Sequence, residues 1–114
     1  MCGISGLYYN SEELNKQLLL DMGKTQSHRG PDNLDVFLDS DNSVGFAHNR
    51  LSIIDLSDNG NQPMESFDKK LVIVFNGEIY NFMELKSKFL QSNFPFSSDT
   101  DTEVLLNLYS KFGI

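Results

Sequence analysis

Five consecutive apolar residues, Leu71-Val72-Ile73-Val74-Phe75, form the strongest hydrophobic run of the chain. A bilayer span takes about 18 such residues, so this run is far too short for one, and its β-branched centre suits a strand. A strand that is apolar at every position buries both faces, which calls for a layer on either side. Three helical stripes can supply such layers. Leu14, Leu18 and Met22 fall on one face behind Asn10 and Glu13, which are spaced as a capping box. Phe82, Leu85 and Phe89 follow Asn81 and Glu84 in the same way, and Leu105, Leu108, Tyr109 and Phe112 follow Thr100 and Glu103. The first helix should stop before Gly30-Pro31 and the third at Gly113. Further strands read at residues 4–9, 36–38 and 44–48. Together these elements describe an α+β domain.

With 114 residues, 39% of them hydrophobic, the chain has the size of one globular domain or part of one. Three helical stripes and a doubly covered strand ask for more sheet than these residues contain, so residues 1–114 are expected to be the first portion of a larger domain. Nine basic against sixteen acidic residues leave a net charge of −7, which repels phosphate backbones and anionic lipids. Nucleic acid and membrane are therefore poor partners. The N-terminus has no basic stretch followed by a long apolar core, and the expected compartment is the cytoplasm.

One cysteine excludes an internal disulfide, and Cys2, His28 and His48 alone would need a carboxylate to complete a tetrahedral zinc site. No metal is expected. Cys2 follows Met1 directly, so removal of Met1 would expose an α-amine beside the thiol, a base and a nucleophile on one residue. An accidental early cysteine is the competing reading. Asp55, Ser57, Asn59 and Gly60 imitate half of a calcium loop, but Ser66 stands where its bidentate Glu belongs. The pair Asp99 and Asp101 imitates a phosphoryl-transfer site, yet Phe94-Pro95-Phe96-Ser97-Ser98 is a poor buried strand to precede it. Asn76-Gly77 is a strong hairpin signal, and it equally puts a side-chain amide next to a backbone N–H, as an oxyanion hole requires. Arg50 could take a carboxylate through two parallel hydrogen bonds, or form a surface ion pair of little consequence. Thr100 or Asp101 could cap the third helix, and a carboxylate there could equally hold an ammonium group.

Taken together and in order, Met1-Cys2-Gly3-Ile4, His28-Arg29-Gly30-Pro31-Asp32, Arg50-Leu51-Ser52-Ile53-Ile54-Asp55-Leu56, Gln62-Pro63-Met64, Asn76-Gly77-Glu78-Ile79-Tyr80-Asn81 and Asp101-Thr102-Glu103-Val104-Leu105-Leu106 resemble the glutamine amidotransferase domain of glutamine-hydrolysing asparagine synthetases. The resemblance implies an N-terminal-nucleophile hydrolase fold, a four-layer αββα sandwich of two antiparallel sheets between helices, with this chain holding its N-terminal part. It implies Cys2 as nucleophile, Asn76 and Gly77 as oxyanion donors, Arg50 on the substrate α-carboxylate, and Glu78 and Asp101 on its α-ammonium. The backbone of Leu51, Ser52, Ile53 and Ile54 would line the same pocket. His28 and His48 receive no catalytic role. The implied partners are L-glutamine and a synthetase domain, in the same longer chain or in a partner chain, with homodimerisation left open. No cofactor is implied for this domain; ATP and Mg²⁺ belong to the synthetase domain, and the sequence has no glycine-rich phosphate loop. Two alternatives stand beside this reading: a truncated, non-catalytic piece serving interaction or folding, and an amidotransferase for another acceptor such as a surface-polysaccharide sugar acid.

Overall fold

The computed structural model describes residues 1–10, 12–90 and 94–114. In chain order the elements are β1 (Gly3–Tyr8), α1 (Lys16–Lys24), β2 (Asn33–Leu38), β3 (Val44–Arg50), a 3-10 turn (Asp58–Gly60), β4 (Met64–Glu65), β5 (Val72–Ile73), α2 (Phe82–Phe89) and α3 (Asp101–Phe112). The first three strands form an antiparallel sheet of order β1-β3-β2, with Gly3 opposite Asn49 and Asn33 opposite Arg50. Side chains alternate across a strand, so Gly45, Ala47 and Asn49 share one face and Phe46, His48 and Arg50 the other. Helix α1 covers the first face. Leu19, fully buried, sits so close over Gly45 that a Cβ there would stand 2.6 Å from its Cδ1. On the second face Phe46 stacks on Phe37, and His48 reaches the Phe75 carbonyl just past β5.

Strands β4 and β5 form a second antiparallel pair, with Met64 opposite Ile73. Helix α3 packs beyond β5, and α2 lies against α3 through an edge-to-face contact of Phe89 with Phe112, ring centroids 5.9 Å apart. The layers therefore run α1, three-stranded sheet, two-stranded sheet, helix pair. This is an α+β fold of two antiparallel sheets flanked by helices, as the resemblance implied.

Local expectations for four elements give way to tertiary contacts. Helix α1 starts at Lys16, not after Asn10, and its cap is Asn15, whose Oδ1 accepts the Leu18 N–H at 2.8 Å. Upstream, Tyr9 N–H donates to Ser43 O and Leu14 N–H to Asn42 O, which holds that stretch along the β2–β3 turn. The buried face of the helix is Leu19 and Gly23, and Leu18 is 40% exposed. Strand β3 runs to Arg50, so that arginine ends the strand rather than following it. The 71–75 run is half-buried throughout and only Val72–Ile73 pairs, because β4 offers just two residues to pair with. Finally, α3 buries Val104, Leu106 and Asn107, leaving Tyr109 and Phe112 on its outer side. Thr100 caps it through Glu103 N–H, but the Glu103 carboxylate accepts from Ser97 and Ser98 N–H, at 2.8 and 2.7 Å, instead of closing the box on Thr100.

Gly30 is a position where only glycine fits. A Cβ there would collide with the Asn49 carbonyl and lie 2.8 Å from the Arg50 carbonyl carbon. Those neighbours are the end of β3, which Asp32 N–H also holds by donating to Arg50 O at 3.0 Å. Gly30→Ala should therefore destabilise the fold by about 2 kcal/mol, as overpacking against backbone does. The urea unfolding midpoint checks this, and an unshifted midpoint would show that the 28–32 loop yields.

Candidate active site

A cleft of about 310 Å³ opens where β1, the end of β3, the segment after β5 and the start of α3 converge. Cys2 stands on its wall, half-buried, one residue ahead of β1. Its Sγ accepts the Leu51 N–H at 3.3 Å and faces the Leu51 carbonyl at 3.8 Å, while Arg29 Nε donates to the Cys2 carbonyl at 3.2 Å. The cysteine is thus held by backbone at the end of β3 and by the loop that Gly30 allows to approach. Met1, 71% exposed, lines the same cleft.

Arg50 forms part of the floor and is nearly buried, with 6% exposure. Its Nη1 donates to Ser57 O at 2.6 Å and to Asn61 Oδ1 at 2.8 Å, and its Nη2 donates to Asp55 O. Those acceptors wrap the 55–61 loop around the guanidinium, leaving Nε and one Nη2 hydrogen outside these three bonds. The surface ion-pair reading of Arg50 is overturned, since a buried guanidinium bonded to three oxygens is a tertiary anchor. Asp55, imagined as a calcium ligand, accepts from Ser57 N–H at 2.8 Å and Asp99 N–H at 3.1 Å. The Ser57 hydroxyl first, then those two N–H groups, hold its carboxyl down to about 2.

Asn76, Gly77 and Glu78, all exposed, line the same cleft, with Asp101 buried at the head of α3. The hairpin expected at Asn76-Gly77 does not form. The next element after Gly77 is a helix and not a strand, because Ile79 N–H donates to Asp101 Oδ2 at 2.9 Å and the chain turns into α2. A Cβ on Gly77 would stand 2.7 Å from the tip of the Phe75 ring, so a side chain there would require that ring to shift. Leu51, Ile53 and Ile54 line the cleft as well, as do Asp55, Gly60, Thr102 and the Gln62 and Phe75 that lead into the Asn76-Gly77 segment. Ser52 is not on its wall: its N–H donates to Asp32 Oδ2 at 2.6 Å.

His48, fully buried between the sheets, has Nε2 3.4 Å from the Phe75 carbonyl. A carbonyl only accepts, so Nε2 carries the proton, and Nδ1, which has no partner among the described residues, is the bare acceptor. Burial pushes this imidazole below its ordinary 6.5; the Phe75 carbonyl opposes that shift and the Arg50 charge adds to it. A histidine depressed in the fold binds its proton more readily when unfolded, so stability is full above pH 6.5 and declines as pH falls below it. The thermal midpoint should fall between pH 7.5 and 5.5, and His48→Gln, which keeps a donor for Phe75 and does not titrate, should flatten that slope. A slope equally steep in the variant would refute the assignment.

Sequence reasoning gave no role to Asp32, Gln62 or Thr102, although each stands in one of the quoted strings. Their contacts join residues distant in sequence, and no local pattern marks them. Among the described residues no helix is long and apolar enough to cross a membrane.

The family model described as a glutamine amidotransferase domain matches residues 1–114. The chain is 42% identical, over its whole length, to asparagine synthetase [glutamine-hydrolyzing] 2 of Bacillus subtilis. It is 37% identical over 99% of its length to asparagine synthetase B [glutamine-hydrolyzing] of Escherichia coli, and 35% identical over all of it to amidase chry2 of Gibberella zeae. It spans 15%, 20% and 18% of those three proteins, respectively. With a cysteine at position 2 on a cleft that gathers an Asn-Gly pair, a buried arginine and a buried aspartate, the chain belongs to the glutamine amidotransferase domain family of the asparagine synthetase type.

Proposed function

We propose that this domain hydrolyses L-glutamine to glutamate and ammonia, and that the ammonia serves ATP-dependent amidation of aspartate by a synthetase domain. The observation that carries the reading is that Cys2 lines one cleft together with Asn76, Gly77, Arg50 and Asp101. Once Met1 is removed, the Cys2 α-amine takes the thiol proton and the sulfur attacks the side-chain carbonyl carbon of glutamine. The carbonyl electron pair moves to oxygen, where the Asn76 amide and Gly77 N–H donate to it. Collapse expels the amide nitrogen, which takes the proton from the α-ammonium and leaves as ammonia. A γ-glutamyl thioester remains. Water adds to it, gives a proton to the α-amine, and the same donors hold the second oxyanion until glutamate leaves and the thiol is restored.

The free hydrogens of Arg50 suit the substrate α-carboxylate, while Asp101 and Glu78 suit its α-ammonium. Such a pair selects a free amino acid, because a peptide lacks one of the charges and leaves a buried partner unmatched. ATP and Mg²⁺ act in the synthetase domain, and no residue of this chain is assigned to them.

The test is intact mass and peptide mapping of the native protein after treatment with a glutamine-mimicking diazo-ketone. The expected result is loss of Met1 and one adduct on Cys2, suppressed by excess glutamine. An adduct that glutamine does not suppress, or none with Met1 absent, would overturn the reading in favour of a non-catalytic piece.

A further inference from the structure

The backbone of Phe75 occupies an unusual position. Strand β5 ends at Ile73, so the N–H and C=O of Phe75, immediately ahead of Asn76, lie outside the ladder. Both are nevertheless taken by side chains from other elements. Gln62 Oε1 accepts the N–H at 2.6 Å, and His48 Nε2 approaches the C=O at 3.4 Å. Gln62 is 6% exposed, and its Nε2 donates to Thr102 Oγ1 at 3.1 Å, a side chain that is itself 3% exposed. Thr102 follows Asp101 in the capped first turn of α3, and Asp101 Oδ2 in turn accepts the Ile79 N–H. The segment 75–79 is thereby tied to one turn of α3 twice: at Phe75 through Gln62 and Thr102, and at Ile79 through Asp101.

We propose that Gln62 is a positioning residue for glutamine hydrolysis: its amide sets the distance between the Asn76-Gly77 oxyanion donors and the Asp101 end of the cleft. The inference rests on the proposed glutaminase reading. An uncharged amide of this length suits the task because it offers an acceptor to the Phe75 N–H and a donor to the Thr102 hydroxyl without burying a charge. Asparagine is one methylene shorter, and a carboxylate has no N–H to donate. Oxyanion donors act only when aimed at the developing charge, so loosening Phe75 should lower kcat and leave ground-state binding of glutamine largely intact.

The experiment uses the intact native protein and its Gln62→Met and Thr102→Val variants, both close in volume to the residues they replace. Glutamate release gives kcat and KM, and kcat is divided by the fraction of Cys2 that iodoacetamide titrates, since that alkylation needs no oxyanion donor. Gln62→Met should lower kcat per titrated site by roughly 10- to 100-fold, the scale of misplacing or losing one donor. KM and the rate of Cys2 alkylation should change less than about 3-fold, because neither depends on transition-state donors. Thr102→Val, which removes only the far end of the tether, should show a smaller loss of the same kind. A merely structural glutamine would reduce the titratable fraction and leave kcat per site unchanged, which would overturn the inference. If Gln62→Met does not fold, an unchanged kcat per site in Thr102→Val overturns it as well. A wild-type protein that releases no glutamate would instead overturn the glutaminase reading, and this inference with it.

Discussion

Cys2→Ala should lower glutamine hydrolysis by at least about ten-thousand-fold, because no second nucleophile is available to form the thioester. The fold should survive. Sγ is half-buried and its contacts are the Leu51 N–H and carbonyl, so truncation leaves a single N–H without its acceptor, at a cost of about 1 kcal/mol. Near-ultraviolet circular dichroism and the unfolding midpoint should therefore stay close to wild type while glutamate release falls to background. Under the proposed function, ammonia supplied directly to the intact protein should bypass the loss, since that reading gives hydrolysis the sole task of producing it. Persistent glutaminase activity in Cys2→Ala would remove Cys2 from the reaction, and a loss of ammonia-supported amidation would point to damage beyond this cleft.

The second large effect is expected at Asn76. Asn76→Ala should reduce kcat for glutamine hydrolysis by about 100- to 1000-fold with KM within a few-fold of wild type, the result of deleting one oxyanion donor. Asn76 is exposed on the cleft wall, and the bonds that hold its loop run through Phe75 and Ile79 instead, so the variant should remain folded. Asn76→Asp should be at least as impaired, because it brings a negative charge to the place where one develops. If Asn76→Ala instead raises KM and spares kcat, the side chain binds ground-state substrate and the oxyanion assignment is wrong. Steady-state kinetics on the two variants distinguish these outcomes directly.

These expectations differ in how far the sequence supports them. Cys2 beside Met1 and the Asn76-Gly77 pair can each be read as chemistry from the order of residues, beside a plainer alternative, because each proposed role depends on groups adjacent in the chain. Asn76-Gly77 also shows the limit of local reading. As a dipeptide it calls for a hairpin, and the hairpin is absent because Asp101 takes the Ile79 N–H that a returning strand would have used. Arg50 reads locally either as a carboxylate ligand or as half of a surface ion pair, and neither reading foresees the three oxygens of the 55–61 loop that surround it in the fold.

The same division runs through the whole protein. Stripes and β-branched runs determined that β1, β2, β3, β5 and three helices exist, since those signals act over one or two turns or a few strand residues, while the cap expected at Asn81 makes no side-chain bond to α2. Strand pairing, the choice of Asn15 over Asn10 as the α1 cap, and the turning of Glu103 toward Ser97 and Ser98 were decided by packing. Gln62 is the clearest case: its partners lie 13 and 40 residues away, and nothing in its neighbourhood distinguishes it from a solvent-facing glutamine. A buried polar side chain must find donors and acceptors wherever the folded chain brings them, so its partners emerge only when the tertiary structure has formed.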